Sequence, residues 1–117
     1  MFNEIADIRK TRKQYNSKMF QSGVGTFRAF EELEAAALKD GAVSQKNKEL
    51  IALGISIVEK CFPCVEYHIT AAIEHGAARK EILETVALAV ALGGGTAVWP
   101  SRFAFKVLEE VQAGAAQ

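Results

Sequence analysis

Apolar positions along the chain recur at spacings of three and four, and no window alternates with period two for long enough to make a strand. The pattern predicts an all-α protein of five to six helices. In residues 2–20, Phe2, Ile5, Ile8, Tyr15, Met19 and Phe20 stand among basic side chains, which suggests a broken amphipathic helix interrupted at Gly23 and Gly25. From Thr26 to Lys39 the set Phe27, Phe30, Leu33, Ala37 and Leu38 keeps helical spacing, with Glu31, Glu32 and Glu34 off that stripe. Thr26 reads as its N-cap and Gly41 as its stop. Ser44 opens a further helix over 45–60, apolar over much of its circumference through Leu50, Ile51, Leu53, Ile55, Ile57 and Val58. Pro63 then falls in the first turn of a helix over 61–75, where proline is tolerated. His75-Gly76 supplies the usual stop. Another helix runs from Arg79 into Ala91 and is interrupted by Gly93-Gly94-Gly95. The last, 96–113, carries Trp99, Phe103, Val107, Leu108 and Val111, with Pro100 setting its first turn or a kink.

Thr85 to Val98 is Val, Ala, Leu and Gly on every face, leaving no polar side for water. A chain of 117 residues has little room to bury a helix all round, and small residues permit close helix approach. A homo-oligomer with this segment in its interface is the expectation.

The length fits one domain, 1–117, burying roughly two-thirds of the unfolded surface. Fourteen basic residues balance 14 acidic ones, so net charge gives no reason to expect nucleic acid or an anionic membrane as partner. The longest apolar run is about 13 residues, short of the ~20 that span a bilayer. Residues 1–22 lack the basic-then-apolar order of a signal peptide. The expected location is the cytoplasm.

Location bears on the cysteines. A structural disulfide is rare in a reducing compartment, so Cys61 and Cys64, a C-x-x-C pair, point to redox chemistry, metal or coincidence. On one helix, spacings of three and four place Cys61, Cys64 and His68 on the same face. Thiols three residues apart come within disulfide range, with Cα atoms about 5–6 Å apart. A helix N-terminus and a nearby imidazole supply thiolate. Peroxide turns a thiolate into a sulfenic acid, which a neighbouring thiol condenses with. Cys61 is nearer the helix start and Cys64 nearer His68, so these residues alone do not say which sulfur attacks.

The set Glu49, Cys61, Cys64 and His68, spaced E-x(11)-C-x-x-C-x-x-x-H, resembles the AhpD-like alkylhydroperoxidase branch of the carboxymuconolactone decarboxylase family. Ala91-Leu92-Gly93-Gly94-Gly95 is similar to the same family, and the likeness covers about residues 27–112. The resemblance implies a helical fold assembled as trimers or hexamers, the hexamer preferred. It implies that Cys64 attacks a hydroperoxide, that Cys61 resolves the sulfenic acid, and that His68 and Glu49 relay the thiol proton. A dithiol or protein reductant would complete the cycle. The best-known members carry a second histidine just before the nucleophilic cysteine; here that position is Pro63, so its role is not carried over.

Rival readings come from the same residues. Buried cysteines are often mere small hydrophobes. A closed zinc site from Cys61, Cys64, His68 and His75 fails because Cys61 and His75 lie about 21 Å apart along one helix; a partial site of Cys64, His68 and Glu49 is the remainder. Glu49 alone would pass for a solvated first-turn acid, and Glu59 and Glu66 for surface charges. The triple glycine has no preceding strand and no following Lys-Ser/Thr, so it is no phosphate loop, and no cofactor is expected. The reading adopted is a thiol-dependent peroxidase or disulfide oxidoreductase. The alternatives are a redox-sensing or structural oligomer without turnover, and a carboxymuconolactone decarboxylase-like lactone enzyme.

Overall fold

Six α-helices form where the periodicity places them in a computed structural model describing residues 4–116, with side chains described as far as Gln112; Phe2 of the first apolar stripe lies outside these residues. They are α1 (Glu4–Phe20), α2 (Thr26–Leu38), α3 (Gln45–Val58), α4 (Phe62–Glu74), α5 (Arg79–Gly93) and α6 (Val98–Ala116), with one 3₁₀ turn, Gly95–Ala97, before α6. The described residues contain no strand.

The chain divides into two compact units, Met1–Lys39 and Asp40–Gln117. In the first, α1 runs unbroken and the reversal to α2 is made by Gly23, whose φ of 84° favours glycine. The Ser22 hydroxyl donates to the Met19 carbonyl (2.6 Å) and accepts from the Val24 N–H (3.2 Å). Helix α2 buries none of its residues: Phe30 and Leu33 are both exposed.

The second unit holds the core and both cysteines. Ser44 caps α3 by accepting the Asn47 N–H at 3.2 Å. The buried stripe of α3 is Glu49, Leu53, Ser56 and Ile57; that of α4 is Val65, Glu66, Ile69, Ala71 and Ala72. A short connection folds α4 back antiparallel to α3. Helix α5 runs parallel to α3, as three points along the seam show. Lys46 Nζ meets Glu81 Oε2 at 3.0 Å near both N-termini, and a Cβ on Gly54 would meet Thr85 at 3.9 Å. At the far end a Cβ on Gly93 would meet Val58 at 3.2 Å. Helix α6 covers α4 with Phe103, Ala104, Val107 and Leu108, and the Phe103 ring stacks on Phe62 with centroids 5.0 Å apart. Pro100 sits in the first turn of α6, as expected from its lack of an N–H.

The α3–α4 turn is made without glycine. Lys60 takes a left-handed φ of 59°, and the Cys61 N–H donates to the Ser56 carbonyl at 3.0 Å. This closes α3 at Val58, two residues before the expected end, and leaves Cys61 as the N-cap of α4.

The expectation for Thr85–Val98 divides. Val86 and Ala89 are buried, whereas Leu88 is 59% and Leu92 81% exposed. With Ile51, Ile55 and Val58 of α3, these outward side chains line an apolar groove of about 500 Å³ along the α3–α5 seam. Trp99 is 65% exposed. Among the described residues no helix is long and apolar enough to cross a membrane.

Candidate dithiol site

The N-terminal end of α4 builds the site. Cys61 is the N-cap, Phe62 and Pro63 follow, and Cys64 stands in the first turn. Cys61 and Cys64 are joined by a disulfide, with Cα atoms 5.2 Å apart, inside the range expected from their spacing. Both are half-buried, with Pro63 exposed between them. The first N–H groups of a helix have no carbonyl partner within it, so this end stabilises negative charge on a sulfur. The Phe62–Phe103 stack holds the turn against α6.

His68 is one turn beyond Cys64, on the same face of α4. Its Nδ1 lies 2.6 Å from Glu49 Oε1, although the two residues are 19 apart in sequence. Antiparallel packing of α3 on α4 creates this contact, bringing the first turns of α3 to the middle of α4. Glu49 is 1% exposed, and the His68 side chain 12%. A carboxylate so buried needs hydrogen bonds to both oxygens. His68 serves Oε1, and the Gln45 side-chain amide reaches Oε2 from Nε2 at 3.4 Å. With Nδ1 donating to the carboxylate, the imidazole lone pair is on Nε2. The Tyr67 ring stands edge-on to the imidazole, centroids 5.2 Å apart.

The four residues picked from the sequence form two bonded pairs, Cys61 with Cys64 and Glu49 with His68, and α4 carries a member of each. The isolated reading of Glu49 as a solvated acid is overturned, because position 49 is in line with Leu53 and Ile57 on the inward face. Glu66 also departs from expectation. It is 1% exposed, not a surface charge, and Thr70 Oγ1 donates to its Oε2 at 3.1 Å. His75 caps the end of α4, its Nδ1 donating to the Ala71 carbonyl at 2.8 Å. Among the described residues, no three of His, Cys, Asp and Glu gather as a metal site would need. Gln45 is the neighbour of Glu49 that sequence reasoning missed. Its only signal was the i, i+4 offset from Glu49, shared by many residues of no consequence.

Comparison with known proteins agrees with the fold. The model of the carboxymuconolactone decarboxylase family matches residues 25–110. An uncharacterized protein of Cupriavidus necator is 32% identical over 90 residues, covering 74% of this chain and 80% of its own. Uncharacterized protein 4 of the cox locus of Paracoccus denitrificans is 31% identical over 91 residues, covering 78% and 82%. Among solved structures, a carboxymuconolactone decarboxylase family protein from Legionella pneumophila superposes with a TM-score of 0.87 at 31% identity, over 93% of this chain and 97% of that one. A family protein from Thermotoga maritima, for which an involvement in antioxidative response has been suggested, gives 0.85 at 30% identity, over 92% and 91%. The chain belongs to the carboxymuconolactone decarboxylase family.

Proposed function

We propose that the chain is a dithiol peroxidase of the AhpD-like branch, with Cys64 as nucleophile, Cys61 as resolving thiol and Glu49–His68 as proton relay. The observation that carries this reading is the buried 2.6 Å contact between Glu49 and His68, one helical turn from a bonded C-x-x-C pair. A decarboxylase-like reaction on a lactone has no use for two thiols.

In the reduced protein His68 Nε2 takes the Cys64 proton, and Glu49 stabilises the imidazolium through Nδ1. The thiolate attacks the outer oxygen of a hydroperoxide, breaking the O–O bond. Cys64 becomes a sulfenic acid and the alkoxide leaves as the alcohol, taking the proton from His68. The Cys61 thiol then attacks the Cys64 sulfur, water departs, and the disulfide forms. An external dithiol, small or carried by a protein, returns both cysteines to thiols by exchange. The cycle consumes one hydroperoxide and one dithiol and yields an alcohol, water and a disulfide.

The groove between α3 and α5 supports self-association, since Leu88, Leu92, Ile51 and Ile55 offer it an apolar face. By family resemblance the assembly is a hexamer in preference to a trimer.

The test is turnover. Wild-type protein with a dithiol reductant should consume alkyl hydroperoxide over many cycles, and Cys64→Ser should not. One equivalent of peroxide should lower the mass of the reduced protein by about 2 Da. Oxidation that stops after one equivalent in the presence of reductant would instead make the site a redox sensor.

A further inference from the structure

The four residues named above leave one oxygen of the relay carboxylate unassigned, and a fifth side chain meets it. Gln45 is the first residue of α3 and stands one turn before Glu49 on the same face. Its own placement is fixed through the main chain: the Gln45 N–H donates to Asp40 Oδ1 at 2.7 Å, and the Ser44 cap stands immediately before it. From this anchored turn the side-chain Nε2 donates to Glu49 Oε2 at 3.4 Å, while Oε1 is taken by His68 Nδ1 at 2.6 Å. Glu49 is 1% exposed, so bulk water is a poor substitute donor.

The type of donor matters. An amide is neutral and holds the carboxylate without competing for its charge. An ammonium at position 45 would form an ion pair that draws Glu49 away from the imidazole. The adjacent Lys46 does not compete, for its Nζ is engaged by Glu81 at 3.0 Å.

We propose that Gln45 is a positioning residue of the site: it divides the two oxygens of Glu49, keeping Oε1 on His68 Nδ1 and thereby Nε2 on the thiol side. This deepens the peroxidase reading, since a correctly aimed Nε2 is what that reading requires. It predicts that removing the amide loosens the imidazole without touching any reacting atom.

The experiment uses the full chain with Gln45→Met, which keeps length and removes the donor, and Gln45→Glu, which keeps shape and loses the donor when ionised. All retain the Asp40 bond, because that bond is to the main chain. Two readouts are taken at pH 7: the His68 Nδ1 proton and ring nitrogens by NMR, and the rate of Cys64 alkylation in the reduced protein. Gln45→Met should shift the Nδ1 resonance and slow alkylation about fivefold, the scale of one hydrogen bond. In a Glu49→Gln background the same change should have no further effect on the rate. Gln45→Glu should slow alkylation at least as much as Gln45→Met. An unmoved Nδ1 resonance in Gln45→Met overturns the proposal. Equal slowing with and without Glu49 overturns it too, since Gln45 would then act only through the start of the helix. If Glu49→Gln alkylates like wild type while Gln45→Met still shifts the resonance, the positioning role stands and the proton relay of the peroxidase reading falls.

Discussion

A thiol at its free pKa of about 8.5 is only roughly 3% ionised at pH 7, so its reactivity reports its surroundings. If His68 takes the Cys64 proton, His68→Gln should slow iodoacetamide alkylation of the reduced protein on the order of tenfold at pH 7. Glu49→Gln should slow it less, because an amide still accepts from Nδ1 though it no longer balances the imidazolium. Coincident rate-against-pH curves for the three proteins would remove the relay. Cys61→Ser should divert peroxide oxidation to sulfenic and then sulfinic acid at Cys64, visible as mass gain in place of mass loss. The candidate residues were legible because their spacing is unusual and because cysteine and histidine are rare in this chain. The burial of Glu49 and Glu66 was not legible. A carboxylate among apolar positions reads as solvated unless its partner is known, and those partners are brought together only by packing.

Helices were legible as elements because their stripes are regular, but the boundary between α3 and α4 was not. A left-handed C′ position usually announces itself as glycine. Here Lys60 occupies it, so the chain looks helical to residue 60 when the helix has closed at Val58. Two other glycines test the parallel α3–α5 seam with opposite signs. A methyl on Gly54 would meet Thr85 at an ordinary 3.9 Å, so Gly54→Ala should stabilise by up to about 1 kcal/mol through helix propensity. A methyl on Gly93 would sit 3.0 Å from Ala97 Cβ and 3.2 Å from Val58 Cγ2. Gly93→Ala should therefore destabilise by about 1 kcal/mol net, overpacking outweighing propensity. Urea denaturation measures both; stabilisation by both variants would mean that the seam is looser at its Gly93 end than described.

At the scale of the whole molecule, the exposed apolar groove makes self-association measurable. Sedimentation at micromolar concentration should find an oligomer. Leu92→Glu, which changes an 81% exposed side chain and so leaves the core intact, should shift it toward smaller species. A wild-type monomer would contradict the assembly. Acid sensitivity belongs to this scale as well. Glu81 titrates below its ordinary value because the Ala78 N–H and the Lys46 ammonium hold its carboxylate. With the folded pKa lowered, its contribution is complete above the ordinary carboxylate pKa and is lost as pH falls through the folded value. Glu81→Gln should accordingly melt lower than wild type at pH 7, with the gap closing in acid.

The parallel course of α3 and α5 has an electrical side. Each helix carries a partial positive charge at its N-terminus, and parallel neighbours bring two such ends together. Asp40, bonded to the first N–H of α3, and Glu81, bonded to the N-cap N–H of α5, place negative charge at that junction. They act as built-in counterions for a pair of aligned dipoles. Dissolved ions can do the same work from outside: between 0.1 M and 1 M salt the screening length shrinks from about 10 Å to 3 Å. The deficit of Glu81→Gln in melting temperature should therefore narrow as salt is added, without any change in the groove or the dithiol.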